Sequence, residues 1–363
     1  MPDLSEVRRE IDRIDGELVR LFVRRMDAVA EVSAAKAADG RPIGDPVRER
    51  EILSRIGAEV PPEYESAARL LFSTLFAVSK KRQRELLGGA PAHAPAVSKV
   101  AVVGMGLIGG SFEKASRKAG YEVAALHHGD ATGFEKADVV LVCLPEDAVV
   151  PWVRSHCGSF ADGACVVDIA GVKGAIMDEV AKLPKRGWTF VGGHPMAGRE
   201  VSGYENSLAD LFVGASMILV PEDGQEVPAS LPAFFRSVGF ERVVETTAAR
   251  HDAAIAFTSQ LCHVIATAYS RDPLMANADG FTAGSFSDMT RIATQDPAIW
   301  SELYLSNREP LLEVLSGFVA RLGEFGKALE ADDRRAIAEI IKSGAEATIK
   351  RSSGASCSIK AEK

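Results

Sequence analysis

Apolar side chains recur at Leu4, Val7, Ile11, Ile14, Leu18, Leu21, Ala28 and Val32, in alternating steps of three and four. That rhythm predicts one amphipathic helix over residues 4 to 39, about 50 Å long, with a single seam for packing against other helices. Arg25 falls where the rhythm asks for an apolar residue, and Lys36 follows about 20° away around the helix. Read singly, each is a long side chain snorkelling from the edge of a seam. As a pair they point to an anion pocket. Asp39-Gly-Arg-Pro42 breaks the pattern, and Asp45-Pro46 supplies a cap with proline at the first position of a second helix, Val47 to about Glu59. Arg48 and Glu49 lie in its first turn and, by themselves, read as a surface charge pair. Pro61-Pro62 breaks the chain again before a third helix, about Glu63 to Leu87. On it Ser79 and Gln83 are four apart and share a face; alone they read as solvent-facing polar residues.

The pattern then changes period. Residues 88 to 98 are rich in Gly, Pro and Ala and read as a linker. Beyond it come short, continuous apolar runs, Val100 to Val103, Glu122 to Leu126, Val139 to Leu144, Cys165 to Asp168 and Thr189 to Gly192, as expected of buried parallel strands. Only about a dozen residues separate the second and third runs, so the crossover there is abbreviated. From about Thr247 the pattern is nearly all helical, including Glu302 to Leu329 and Asp332 to Lys350. It holds more apolar residues than a lone helix can bury, which predicts a dimer interface. A polar tail, 351 to 363, closes the chain.

The first strand runs directly into Gly104-Met-Gly106-Leu107-Ile108-Gly109, followed by a helical pattern. Strand, glycine turn and helix start in that order make a dinucleotide site. Gly104 permits the tight turn, Gly106 lets backbone approach a pyrophosphate, and Gly109 lets the helix pack on the strand. An acid for the ribose is expected about 20 residues beyond, and Asp130 is the candidate, although it lies past the end of its strand. Lacking a nearby Arg or Lys for a 2′-phosphate, the site favours NAD over NADP. His194, at a strand end among small residues in Gly-Gly-His-Pro-Met-Ala-Gly198, is either a structural histidine or a general base.

The 363 residues allow two or three domains, and a net charge of −8 offers no basic field for nucleic acid. Five cysteines without metal spacing suit reduced thiols and no metal site. The amino terminus lacks the apolar core of a signal peptide, and no run of about 18 apolar residues occurs, so the expectation is a cytoplasmic protein that does not enter the membrane.

Arg8, Arg25, Lys36, Asp45, Arg48, Glu49, Ser79 and Gln83, spaced in this way on three helices, resemble the all-helical chorismate mutase domain. That resemblance implies an intertwined dimer in which Arg8 reaches the partner's site. Arg8, Arg25 and Arg48 would clamp the carboxylates of chorismate, and Lys36 and Gln83 would donate to the breaking ether oxygen. Glu49 would accept from the ring hydroxyl, with Asp45 and Ser79 in supporting or capping roles. The chemistry needs no more than this, because the rearrangement to prephenate is intramolecular and asks the protein only to hold a compact conformer and stabilise developing charge.

Downstream, the glycine loop, Val167-Asp-Ile-Ala-Gly-Val-Lys173, the His194 segment, Gln260-Leu-Cys-His263 and Thr290-Arg-Ile-Ala-Thr-Gln-Asp-Pro-Ala-Ile-Trp300 resemble prephenate dehydrogenase in content and order. His194 would take the proton of the substrate's ring hydroxyl, Arg291 would pair with a substrate carboxylate, and His263 would line the pocket. Gly171 stands where that family usually has serine, and Cys262 where it often has proline. The whole resembles bifunctional chorismate mutase/prephenate dehydrogenase. It implies an all-α mutase domain (1–90), a linker (91–98), an α/β Rossmann-type NAD-binding domain (99–245) and an all-α dimerisation domain (246–350), with tyrosine as a feedback inhibitor. Two alternatives stand beside it: a mutase-like domain serving only regulation or dimerisation, and arogenate as the oxidised substrate.

Overall fold

The computed structural model describes residues 4–39, 43–87, 97–127, 129–130, 132–184, 187–199 and 201–352. The linker segment 88–96, the break at 40–42, and the tail from 353 with Cys357 lie outside the described residues. Two compact units divide the chain, Met1–Ala248 and Ala249–Lys363.

The first unit opens with α1 (Leu4–Ala38), α2 (Pro46–Glu59) and α3 (Glu65–Leu87), the last preceded by a 3-10 turn at Pro62–Tyr64. Asp45 caps α2 as its sequence promised, its carboxylate accepting from the Arg48 N–H at 3.0 Å with Pro46 at the first position. Helix α1 has an uneven environment. Every residue from Leu4 to Arg24 is exposed, and partial burial begins at Arg25, where α3 packs against it.

A seven-stranded sheet follows, built from β1 (Lys99–Val103), β2 (Glu122–Leu126), β3 (Val139–Val142), β4 (Cys165–Asp168), β5 (Thr189–Pro195), β6 (Ser216–Pro221) and β7 (Arg242–Glu245). Its order is β2-β1-β3-β4-β5-β6-β7, parallel except where β6 runs antiparallel to β5. The fifth strand is longer than the sequence pattern indicated, because β6 extends its ladder as far as Pro195 paired with Met217.

Successive residues of β1 and β3 feed opposite faces, and each face has its own core. Ala101, Val103, Val140 and Val142 pack with α5 (Glu146–His156) and α6 (Gly174–Val180). Val100, Val102, Val139 and Leu141 pack with α4 (Leu107–Lys118) and α7 (Ser230–Ser237), where Phe112 stacks on Phe212 at 4.1 Å. Helices on both faces explain why these strands are apolar without alternation. Among the described residues between β2 and β3 there is no helix, in keeping with the abbreviated crossover.

The second unit is helical: α8 (Ala248–Ile255), a π-helical segment (Ala256–Gln260), α9 (Leu261–Ser270), α10 (Gly284–Arg291), α11 (Pro297–Ser306), α12 (Arg308–Glu330) and α13 (Arg334–Ser352). The sequence pattern had run one helix from Glu302 to Leu329, but the helix breaks at Asn307. Buried Asn307 donates to the Asp252 carbonyl (3.0 Å) and to Gln260 Oε1 (2.7 Å), and Gln260 in turn donates to the Leu303 carbonyl (3.1 Å). These internal partners satisfy the buried side chain at the point where α11 ends and α12 begins. Leu312, Val319 and Leu322 on α12 remain at least half exposed. Among the described residues no helix is long and apolar enough to cross a membrane.

Candidate active sites

Arg25 meets Ser79, 54 positions away, where α3 packs on the second half of α1, and Gln83 lies one turn further along α3. The Arg25 guanidinium donates to Ser79 Oγ in a short contact and to the Leu75 carbonyl at 3.4 Å, and lies over the Phe76 ring. Burial pulls its pKa below the usual arginine range. Ser79 and Gln83 are buried, not solvent-facing, and among the described residues Gln83 Oε1 has no hydrogen-bond partner. A part-buried cation and, one helical turn away, a buried amide oxygen left unpaired are features expected where a polar ligand binds.

The other members of the set are spread out. Lys36 donates to the Ile43 carbonyl at 2.6 Å, and Glu49 pairs with Lys80 at 3.1 Å. The sequence reading had missed Lys80, whose only mark is its place on α3 one residue beyond Ser79. Arg48 turns outward to Glu51 at 3.1 Å. Arg8 is exposed and precedes Arg25 by about 25 Å of helix, too far for either side chain to span within one chain.

The nucleotide crevice lies at the carboxyl ends of β1 and β3, where the strand order reverses. Gly104 has a φ of +94°, and a Cβ there would meet the Cys143 carbonyl at 2.4 Å. One on Gly109 would meet the Gly104 carbonyl at 1.9 Å, whereas one on Gly106 would find nothing within 4 Å. Thus two glycines are required by the protein itself, and the third leaves space beside the start of α4. No side chain caps that helix end, so the first-turn amides of Leu107, Ile108 and Gly109 are available to an anion. These features fit a dinucleotide pyrophosphate.

The acid is placed differently from a strand-end acid. His127 takes the position directly after β2, and Asp130 folds back so that its carboxylate accepts the His127 N–H at 2.7 Å.

His194 is the sixth residue of β5, half-buried, and lies two residues beyond Gly192, the last position paired with β4. Beneath this strand end runs a fully buried ion pair. Lys173 donates to Asp168 in a short contact, the same carboxylate oxygen accepts the Ala170 N–H (3.0 Å), and among the described residues Asp168 Oδ1 has no hydrogen-bond partner. A Cβ on Gly192 would lie 2.9 Å from Lys173 Cδ, which explains a glycine here. Burial pushes the Cys143 thiol well up, with the Asp168 carboxylate adding, and pushes Cys165 up to about 11, so both stay protonated and inert.

In the second unit, His263 on α9 donates through Nδ1 to the Ile292 carbonyl (2.9 Å) and packs on Trp300, with ring centroids 4.0 Å apart. The carbonyl can only accept, which fixes a proton on Nδ1. Arg291 is the last residue of α10, directly before Ile292.

Residues 99–240 match the prephenate dehydrogenase nucleotide-binding domain, residues 247–343 the prephenate dehydrogenase dimerization domain, and residues 7–84 chorismate mutase type II. The T-protein of Enterobacter agglomerans is 27% identical over 356 residues, 92% of this chain and 90% of its own. A probable prephenate dehydrogenase of Streptomyces niveus is 30% identical, covering 61% of this chain and 67% of that protein. A crystal structure of prephenate dehydrogenase from Aquifex aeolicus, in complex with hydroxyphenyl propionate and NAD+, superposes with a TM-score of 0.61 at 28% identity over 70% of this chain and 98% of that one. With both dehydrogenase domains matched in order behind a mutase domain, the chain belongs to the prephenate dehydrogenase family and is of its bifunctional type, fused to a type II chorismate mutase.

Proposed function

We propose that this chain performs two consecutive steps of tyrosine biosynthesis, rearranging chorismate to prephenate and then converting prephenate to 4-hydroxyphenylpyruvate with loss of carbon dioxide. What supports this most is the mutase set: a part-buried Arg25 against Ser79, with the buried Gln83 Oε1 unpaired among the described residues one turn further along α3, suits a polar ligand and is not needed for dimerisation. In that site Arg25 and Arg48 hold carboxylates as planar forks, Arg8 comes from a second copy, Lys36 and Gln83 stabilise charge on the ether oxygen, and Glu49 orients the ring hydroxyl. Two copies pairing along the exposed seam of α1 account for both the bare helix and the distance of Arg8. Tyrosine, as the end of the route, is the inhibitor to test.

For the oxidative step, the amides of Leu107, Ile108 and Gly109 and the space at Gly106 hold the pyrophosphate. NAD is preferred to NADP, because the segment 127–134 after β2 carries Asp130 and no Arg or Lys. When bound, the nicotinamide supplies the hydride acceptor. His194 receives the proton of the ring hydroxyl as that carbon becomes a carbonyl, and Arg291 holds a carboxylate of the substrate. Loss of carbon dioxide then makes the ring aromatic.

The deciding experiment supplies chorismate first without nucleotide and then with NAD or NADP, and compares prephenate with arogenate, each with and without tyrosine. Prephenate is expected without nucleotide, and 4-hydroxyphenylpyruvate only after NAD is added. Failure to form prephenate removes the mutase assignment, and faster turnover of arogenate or of NADP replaces the stated substrate or cofactor.

A further inference from the structure

The motif Thr290 to Trp300 contains polar residues to which neither reaction assigns a role. Gln295 is the most heavily engaged of them. Its Nε2 donates to Thr267 Oγ1 at 2.7 Å and to the His263 carbonyl at 3.2 Å, both on α9, and lies 3.5 Å from the Ile292 carbonyl. Its Oε1 accepts the Tyr304 hydroxyl of α11 at 2.6 Å. The two carbonyls can only accept, so the amide nitrogen must face them and the orientation is unambiguous. Around it the chain from Arg291 to Asp296 makes a tight turn. Ala293 donates to the Thr290 carbonyl, Thr294 Oγ1 to the Arg291 carbonyl, and Asp296 caps α11 through the N–H groups of Ala298 and Ile299. Ile292, the first residue after Arg291, is thereby held by His263 Nδ1 and Gln295 together.

We propose that Gln295 is the positioning residue for Arg291: its amide ties the turn that follows this arginine to α9 and so sets the reach of the guanidinium toward a substrate carboxylate. The inference rests on the reading of Arg291 as the carboxylate partner. Because α10 is only eight residues long and its last residue carries the charge, the backbone beyond it decides where that charge sits. A bidentate contact tolerates little displacement, and an error of about 1 Å is costly. Gln295 touches neither substrate nor cofactor in this role; it acts through the Ile292 and His263 carbonyls.

The test uses the full-length enzyme. Gln295→Glu keeps the shape and turns a donor into an acceptor facing two carbonyl oxygens, and Gln295→Leu removes the polarity. Both are expected to raise the KM for prephenate about 10- to 100-fold, with kcat within about threefold, and to leave the KM for NAD and the mutase rate unchanged. Added to Arg291→Ala, either change is expected to cost less than about twofold more, since the positioned group is already gone. A folded Gln295→Glu enzyme with an unaltered KM overturns the proposal, and so do effects that multiply in the double variant, which is what simple loss of packing produces. If Arg291→Ala itself leaves the KM unchanged, the carboxylate reading fails and the positioning role falls with it. If Arg291→Ala raises the KM while Gln295→Glu does not, only the positioning role is lost. Should both Gln295 variants fail to fold, Tyr304→Phe removes one hydroxyl from the same amide, and a KM increase of about threefold or more is expected against no change.

Discussion

Two apolar patterns of equal regularity meet different fates in this chain. On β1 and β3, Val100 to Val103 and Val139 to Val142 are at most 1% exposed, covered on both faces by helices of the same unit. On α1, Leu4, Ile11, Leu18 and Leu21 are all more than half exposed, although their spacing is as strict as any in the sequence. The strands find their cover among their own crossovers, whereas α3 reaches only the second half of α1. An apolar stripe therefore states that a surface is to be covered and does not state by which chain. The same contrast runs through the chemistry. The nucleotide loop is complete within one chain, and the mutase set is split, with Arg25, Ser79 and Gln83 gathered and Arg8 left far along the helix.

The largest effects separate the two regions outright. Lys36→Ala is expected to cut mutase turnover by on the order of 10³-fold while prephenate oxidation persists, and His194→Asn to cut oxidation by about 10²–10⁴-fold while the mutase persists. Steady-state assays of both reactions on each variant check this, and a joint loss in either variant would mean that the regions are not independent. Next, Leu18→Glu places a charge on the bare seam. It should leave the helical content of the chain intact and lower mutase activity roughly tenfold at dilute protein, with recovery as concentration rises. Activity independent of concentration and equal to that of the parent would show that α1 needs no second copy. The smallest effect is expected at Gly106→Ala. Nothing lies within 4 Å of the added methyl, so Tm should move by no more than about 2 °C. The KM for NAD should nevertheless rise roughly tenfold, because the backbone must approach the pyrophosphate there. Gly109→Ala is the control, since its methyl meets a backbone oxygen at 1.9 Å and should cost stability first.

Much of this was legible from local pattern. Asp45-Pro46 announced a capped helix, the β-branched runs announced buried strands, and the glycine loop stood between a strand and a helix as its spacing required. The misses share a cause. Asn307 breaks a helix that the apolar periodicity carries straight through, because its partners are a carbonyl 55 residues away and an amide 47 residues away. Lys80, Lys173 and Gln295 were visible as letters but not as partners of Glu49, Asp168 and the turn after Arg291.

The sequence by itself determined the three amino-terminal helices, the first five strands and the place of the nucleotide loop. Those follow from period, capping and glycine placement, all properties of residues within a few positions of one another. Only the tertiary structure decided that Arg25 would meet Ser79, that a buried lysine would run under the strand bearing His194, and that one glutamine amide would bind two helices and the turn between them. Such contacts satisfy buried polar groups with whatever donor or acceptor the packing of distant segments brings within about 3 Å, and no periodicity along the chain encodes that meeting.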